Sequence, residues 1–173
     1  MRVAVVGAGV IGVSSAFAVK SVFPSYDVKI FADAFSPDTT GDGSAGLWTP
    51  FLLDDTPAED ITIHNVVIGG THQEGDFDRS VREKDSKHIY DGCCRIMPSL
   101  KGSEIIRAWV GLRPGRPRVR LECESLSSSM GKEFKVIHNY GHGGSGVTLC
   151  WGCAMDVVEM IKNLKVPELN SKL

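Results

Sequence analysis

A chain of 173 residues, 42% hydrophobic and 23% charged, has enough apolar content for one domain or two small ones. A net charge of −2 and a pI near 6.2 exclude a global field that would draw it to nucleic acid or to an anionic membrane. Its five cysteines are odd in number and two are adjacent (Cys93, Cys94), which favours a reduced compartment with free thiols.

The chain opens on an apolar strand over residues 2–6 that runs into Gly7-Ala8-Gly9-Val10-Ile11-Gly12, and a helix is predicted over 10–21. This is the strand–turn–helix start of a dinucleotide-binding βαβ unit. Gly7 permits the tight turn, Gly9 lets backbone approach a pyrophosphate, and Gly12 lets the helix pack closely on the sheet. The helix N-terminus then offers N–H groups and a positive dipole end to the anion. Pro24-Ser25-Tyr26 breaks the helix, and 27–32 alternates as a second strand ended by Asp33, where a carboxylate would accept ribose hydroxyls. Arg2, the apolar run 3–19 and Ala16-Phe17-Ala18 also fit a secretory leader, but a glycine triad in register with an acid-ended second strand is no leader property.

Residues 35–46 are rich in Ser, Pro, Asp, Thr and Gly and read as loop. Apolar residues 47–53 follow, then an acidic break over 54–60. Strand character is predicted over 61–68, an exposed helix over 79–96, and strands over 104–112 and 118–123. The last two are joined by Arg113-Pro-Gly-Arg-Pro117 as a hairpin connection. Ser127 to Gly131 reads as loop and Phe134 to His138 as a short strand. Asn139 to Gly146 forms a second glycine-rich turn. A helix is predicted over 147–164, stopped by Pro167.

The second glycine cluster, 141–146, repeats the physics of the first: backbone N–H groups and a helix start offered to electron-rich oxygens. Two such sites suit a large, two-ended ligand such as FAD. Arg113, restricted by Pro114, is suited to bidentate capture of a carboxylate. Arg118 and Arg120 read as a solvated strand face. Cys150 and Cys153 have redox-motif spacing but read more simply as small residues packed at a helix start. A metal site would need His138 and His142 as further ligands, and no metal set is predicted. His64, His72 and His88 read as surface residues. The terminal Ser171-Lys172-Leu173 reads as a peroxisomal address for an import receptor, so peroxisomal targeting is expected.

Several blocks together resemble the D-amino-acid oxidase family, which includes D-aspartate oxidase. They are residues 1–12, 28–33, 35–40, 45–48, 69–71, 111–117, 119–122, 137–144 and 151–154. The resemblance implies an α/β fold: an FAD-binding, Rossmann-like domain with a βαβ start and parallel sheet, and remnants of an α+β substrate domain. It implies FAD-dependent oxidation of a D-amino acid to a 2-oxo acid, ammonia and H2O2, with O2 as the second substrate, in the peroxisome matrix. Ala8, Gly9, Val10 and Ile11 would cradle the pyrophosphate and Asp33 would hold the ribose. Thr39, Thr40, Ala45, Gly46 and Leu47 would line the FAD. Gly143, Gly144, Ser145, Gly146, Val147 and Thr148 would face the flavin. Arg113 would hold the substrate carboxylate and the Gly144 carbonyl would sit near the amine.

Family chains are much longer, and the missing block falls at about residues 55–63. The implied organisation is 1–54 as the N-terminal part of the FAD domain, 55–63 as the junction and 64–128 as a substrate-domain remnant. Residues 129–166 form the C-terminal part of the FAD domain and 167–173 the tail. The lost block would hold the rest of the sheet and the tyrosines that cover the substrate, so weak FAD retention and little turnover are expected. Ile137 to Tyr140 lean to D-amino-acid oxidase, and Pro37 to Thr40 with Leu112 lean to D-aspartate oxidase; neutral and acidic substrates stay unseparated. A non-catalytic isoform, a homo-oligomer and pairing with a longer family member stay open as further readings.

Overall fold

The computed structural model describes residues 1–43 and 66–164. The chain divides into two compact units, Met1–Asp42 with Arg113–Leu173, and Gly43–Leu112.

The first unit opens with strand β1 (Arg2–Val6), helix α1 (Val10–Val22) and strand β2 (Asp27–Phe31). β1 and β2 pair in parallel, from Arg2 opposite Asp27 to Val6 opposite Phe31. A parallel pair needs a crossover, and α1 supplies it. The Lys20 ammonium donates to the Pro24 and Tyr26 carbonyls, each at 2.9 Å, and closes the loop after the helix.

Further along, strands β3 (Gly115–Ser127) and β4 (Glu133–His142) form an antiparallel hairpin, and helix α3 (Gly146–Lys162) follows. Ala154, Val157, Val158 and Ile161 recur at helical spacing on α3 and pack against Ala18 and Val19 of α1. Small residues on α1 (Ser15, Ala16, Ala18) let the helices approach closely. Val3, Val28, Leu121 and Ile137 pack onto this cluster, so both strand pairs meet the two-helix layer.

The second unit holds helix α2 (Glu83–Ile96) between irregular segments. Arg82, at its N-cap, pairs with Asp76 at 2.6 Å and Asp78 at 2.9 Å. The Ser80 backbone N–H and this guanidinium hold the Asp78 carboxyl down at about 2. The Tyr90 hydroxyl donates to the Leu100 carbonyl and accepts from the Gly102 N–H, fastening the chain after the helix.

Five sequence expectations are corrected. Residues 104–112 are not a strand: Ile105 and Ile106 are 65% and 74% exposed, and β-branched residues form strands only where a pleated surface half-buries them. Of the strand expected over 61–68, residues 66–68 are irregular, and the remainder lies outside the described residues. Arg113 to Pro117 is not the hairpin turn. That turn is Ser128–Lys132, closed by the Ser128 N–H to the Lys132 carbonyl at 2.9 Å. β3 begins earlier than expected because its register shifts between Gly115 and Arg120, which accommodates Pro117. β4 runs through His142, so only Gly143–Ser145 remains of the predicted turn.

Candidate functional site

The first glycine turn is built by the βαβ unit. Gly7 takes φ +109, a conformation closed to most side chains, and its N–H donates to the Phe31 carbonyl at 2.8 Å. That bond ties the turn to the end of β2, two residues before the exposed Asp33. Ala8 is buried, and Gly9 is the N-cap of α1 in extended conformation. Val10, Ile11 and Gly12 form the first turn of the helix. A methyl group at Gly12 would sit 2.0 Å from the Gly7 carbonyl oxygen, whereas one at Gly9 would meet nothing within 4 Å. Gly12 therefore serves packing and Gly9 faces open space. No side chain caps α1 and no acid stands in its first turn. An uncapped, glycine-lined helix start of this kind fits the pyrophosphate of a dinucleotide.

The Thr39–Asp42 loop lies against that helix start, since a methyl at Gly41 would touch Val10 at 3.8 Å. Asp42, overlooked in the sequence, organises it. Its carboxylate accepts from Ser36 Oγ at 2.6 Å, Thr39 Oγ1 at 2.6 Å and the Thr39 N–H at 2.9 Å. These bonds, the Ser36 hydroxyl foremost, hold the carboxyl below its usual range. The legible signal was Thr39-Thr40-Gly41-Asp42, which has the spacing of a capping box and starts the 3-10 helix Thr40–Gly43. Ala45, Gly46 and Leu47 lie outside the described residues.

The second cluster joins Arg113 to the later glycines. The Gly143 N–H donates to the Pro114 carbonyl at 3.1 Å, and Gly115 pairs with His142. Arg113, whose side chain is exposed, is thus next in sequence to the residue that clamps the Gly143 turn. Gly143 adopts φ +56, Gly144 and Ser145 are exposed, and Gly146, Val147 and Thr148 open α3. That helix start is also uncapped by side chains and free of acids in its first turn. The two clusters are linked through Asn139 of β4, whose amide donates to Ser15 Oγ of α1 at 3.0 Å. Ser15 Oγ in turn donates to the Ile11 carbonyl at 2.8 Å.

Other predicted residues separate. Arg118 is exposed, but Arg120 is not a solvated arginine: it pairs with Glu122 and with Glu124 at 3.2 Å and reaches the Tyr140 hydroxyl. His138 contacts Glu124 at 3.0 Å. Among the described residues, no group of three or more His, Cys, Asp or Glu is arranged to hold a metal. No helix there is long and apolar enough to cross a membrane. Residues 171–173 lie outside the described residues.

His142 is 7% exposed, and its burial pushes the imidazole below its ordinary value of 6.5. Above pH 6.5 it is neutral in both folded and unfolded chains. Below pH 6.5 the unfolded chain takes up the proton first, so stability falls with pH until the folded histidine also protonates. Thermal melts from pH 7.5 to 5 should show this loss, and His142→Gln should flatten it; an unchanged slope in the variant would refute the assignment.

Comparison with known proteins identifies the lineage. The family model described as FAD dependent oxidoreductase (DAO) matches residues 56–160. The chain belongs to this family. It is 47% identical over 100 residues to a D-amino acid oxidase of Dugesia ryukyuensis, covering 57% of this chain and 30% of that protein. It is 42% identical over 113 residues to a D-aspartate oxidase of Homo sapiens, covering 63% of this chain and 33% of the relative. A D-amino-acid oxidase of Rubrobacter xylanophilus is 43% identical over 94 residues, covering 54% and 28%. The chain therefore spans about a third of the length of these relatives. Family membership implies a Rossmann-like FAD-binding fold, of which the first unit displays the parallel β1–β2 pair and its crossover helix.

Proposed function

We propose that the chain carries the cofactor-binding ends of an FAD-dependent oxidase of D-amino acids. The observation that carries this reading is the open, uncapped start of α1 beside Asp33. In it, the N–H groups of Gly9, Val10 and Ile11 hold the pyrophosphate, Asp33 accepts the ribose hydroxyls, and Thr39 and Thr40 flank them. Gly143 to Thr148 face the flavin end with a second positive helix terminus. Arg113 binds the substrate carboxylate in two-point fashion, and the Gly144 carbonyl orients the amine. When bound, FAD supplies a hydride acceptor that O2 reoxidises. Both D-amino acid oxidase and D-aspartate oxidase occur among the relatives, so the substrate class is D-amino acids, neutral or acidic.

The family match starts at residue 56, which supports an internal junction near residues 55–63. On this reading the chain lacks most of the family sheet. Val6 is 87% and Phe31 55% exposed, on the face of a sheet that has two strands among the described residues. Such a sheet grips a dinucleotide weakly and leaves edges open. The expected result is little bound flavin after purification and little H2O2 from D-alanine or D-aspartate. A strong bound-flavin absorbance together with robust peroxide production would overturn the weak-site reading. Failure of added FAD to quench its own fluorescence or to raise the melting temperature, even at millimolar concentration, would overturn the site itself.

A further inference from the structure

The first two turns of α3 carry two thiols that the cofactor reading does not use. Cys150 and Cys153 are both reduced and half-buried. Three residues apart on one helix, they share a face with Cβ atoms about 5–6 Å apart, and a disulfide, which holds Cβ atoms about 3.5–4.5 Å apart, closes when the helix adjusts locally. Their environments differ. Cys150 lies in the second turn of α3, and its Sγ donates to the Val147 carbonyl at 3.1 Å. Cys153 Sγ lies 3.4 Å from His142 Nε2. Burial holds that imidazole neutral at pH 7, so with Nδ1 protonated its Nε2 accepts from the thiol. Burial foremost, with Asp156 and Cys150 nearby, pushes the Cys153 thiol up, so it stays protonated until a base takes the proton.

We infer that Cys150, Cys153 and His142 form an oxidative modification site at which a hydroperoxide closes a reversible disulfide. Cys150 gives its proton to solvent and the thiolate attacks the peroxide oxygen: an S–O bond forms, the O–O bond breaks, and the leaving hydroxide takes up a proton to give water. Cys153 then attacks the Cys150 sulfenic sulfur as its proton passes to His142 Nε2. The S–S bond forms, the S–O bond breaks, and the leaving hydroxide takes a proton to give a second water. Two thiols are oxidised and one peroxide is reduced to two waters. Any source of peroxide suffices, so the site stands independently of the oxidase reading.

The test treats the folded full chain with hydrogen peroxide, then denatures it, alkylates the remaining thiols and reads the peptides by mass. Cys123, which is exposed, reports general oxidation, and buried Cys94 reports unfolding. The expected result is joint protection of Cys150 and Cys153 by a mutual disulfide that dithiothreitol reopens, while Cys94 remains alkylatable. Cys153→Ser should leave a Cys150 sulfenic acid that dimedone traps. His142→Gln should leave formation of the sulfenic acid unchanged and slow disulfide closure by about 100-fold, the lower end of a general-base effect. Alkylation of both thiols after Cys123 has been oxidised would overturn the inference. So would pairing of Cys150 with any other cysteine, or closure in His142→Gln at the unmutated rate.

Discussion

Gly12→Ala is expected to cost the chain about 3 kcal/mol, the upper end of overpacking penalties, and to abolish nucleotide binding. The added methyl would lie 2.0 Å from the Gly7 oxygen and 2.9 Å from its carbonyl carbon. Both are backbone atoms, so no side chain can swing aside. Relief requires the helix to move off the strand, which also disturbs Gly7 and its bond to Phe31. Gly9→Ala is the paired control. Its backbone is extended and its surroundings are open, so the fold should melt within about 0.5 kcal/mol of the parent, as at permissive surface sites. The methyl there would instead occupy the path of an approaching pyrophosphate. Chemical denaturation and an FAD or ADP titration separate the two effects. Equal melting behaviour for the two variants would refute the division of labour between the glycines.

Val158→Asp should leave the chain unfolded at pH 7. Val158 is fully buried between α1 and α3, beside Ala18, Val19, Ala154 and Ile161. Losing its burial removes roughly 1.5–3 kcal/mol. An unpaired carboxylate placed among aliphatic groups costs several kcal/mol more after relaxation. The sum is comparable with the whole stability of a small domain, about 5–15 kcal/mol. Leu149→Asp, at a position 41% exposed, should be close to neutral. Far-UV circular dichroism and a thermal melt decide the matter. A cooperative, native-like melt for Val158→Asp would show that the α1–α3 seam is not the core of this unit.

Where the chain's pattern is local, the sequence was sufficient. β1, α1 and β2 follow from an apolar run, a glycine triad and an alternating strand, each spelled within a few residues, and they occur where expected. α3 follows from helical spacing and α2 from a charged stretch, with shifts at their ends. Strands other than the first two were less legible, because a strand is defined by its partner. Ile105 and Ile106 have strand-like composition and lie exposed in irregular chain, while β3 extends back past Pro117 because β4 offers a partner as far as His142. Asp42 escaped notice because a single acid in a loop is common; the Thr39 spacing that marks it acquires meaning only when the loop closes.

The amino-acid pattern alone determined the βαβ start, the glycine turn with Asp33 and the family to which the chain belongs, because these depend on neighbours in sequence and on motif spacing. Only the tertiary structure decided which glycine packs and which faces open space, how Pro114 is joined to Gly143, and that His142 meets Cys153. Those relations arise between residues far apart along the chain or on opposite sides of a turn. They are set by strand pairing and helix packing, which no local periodicity encodes.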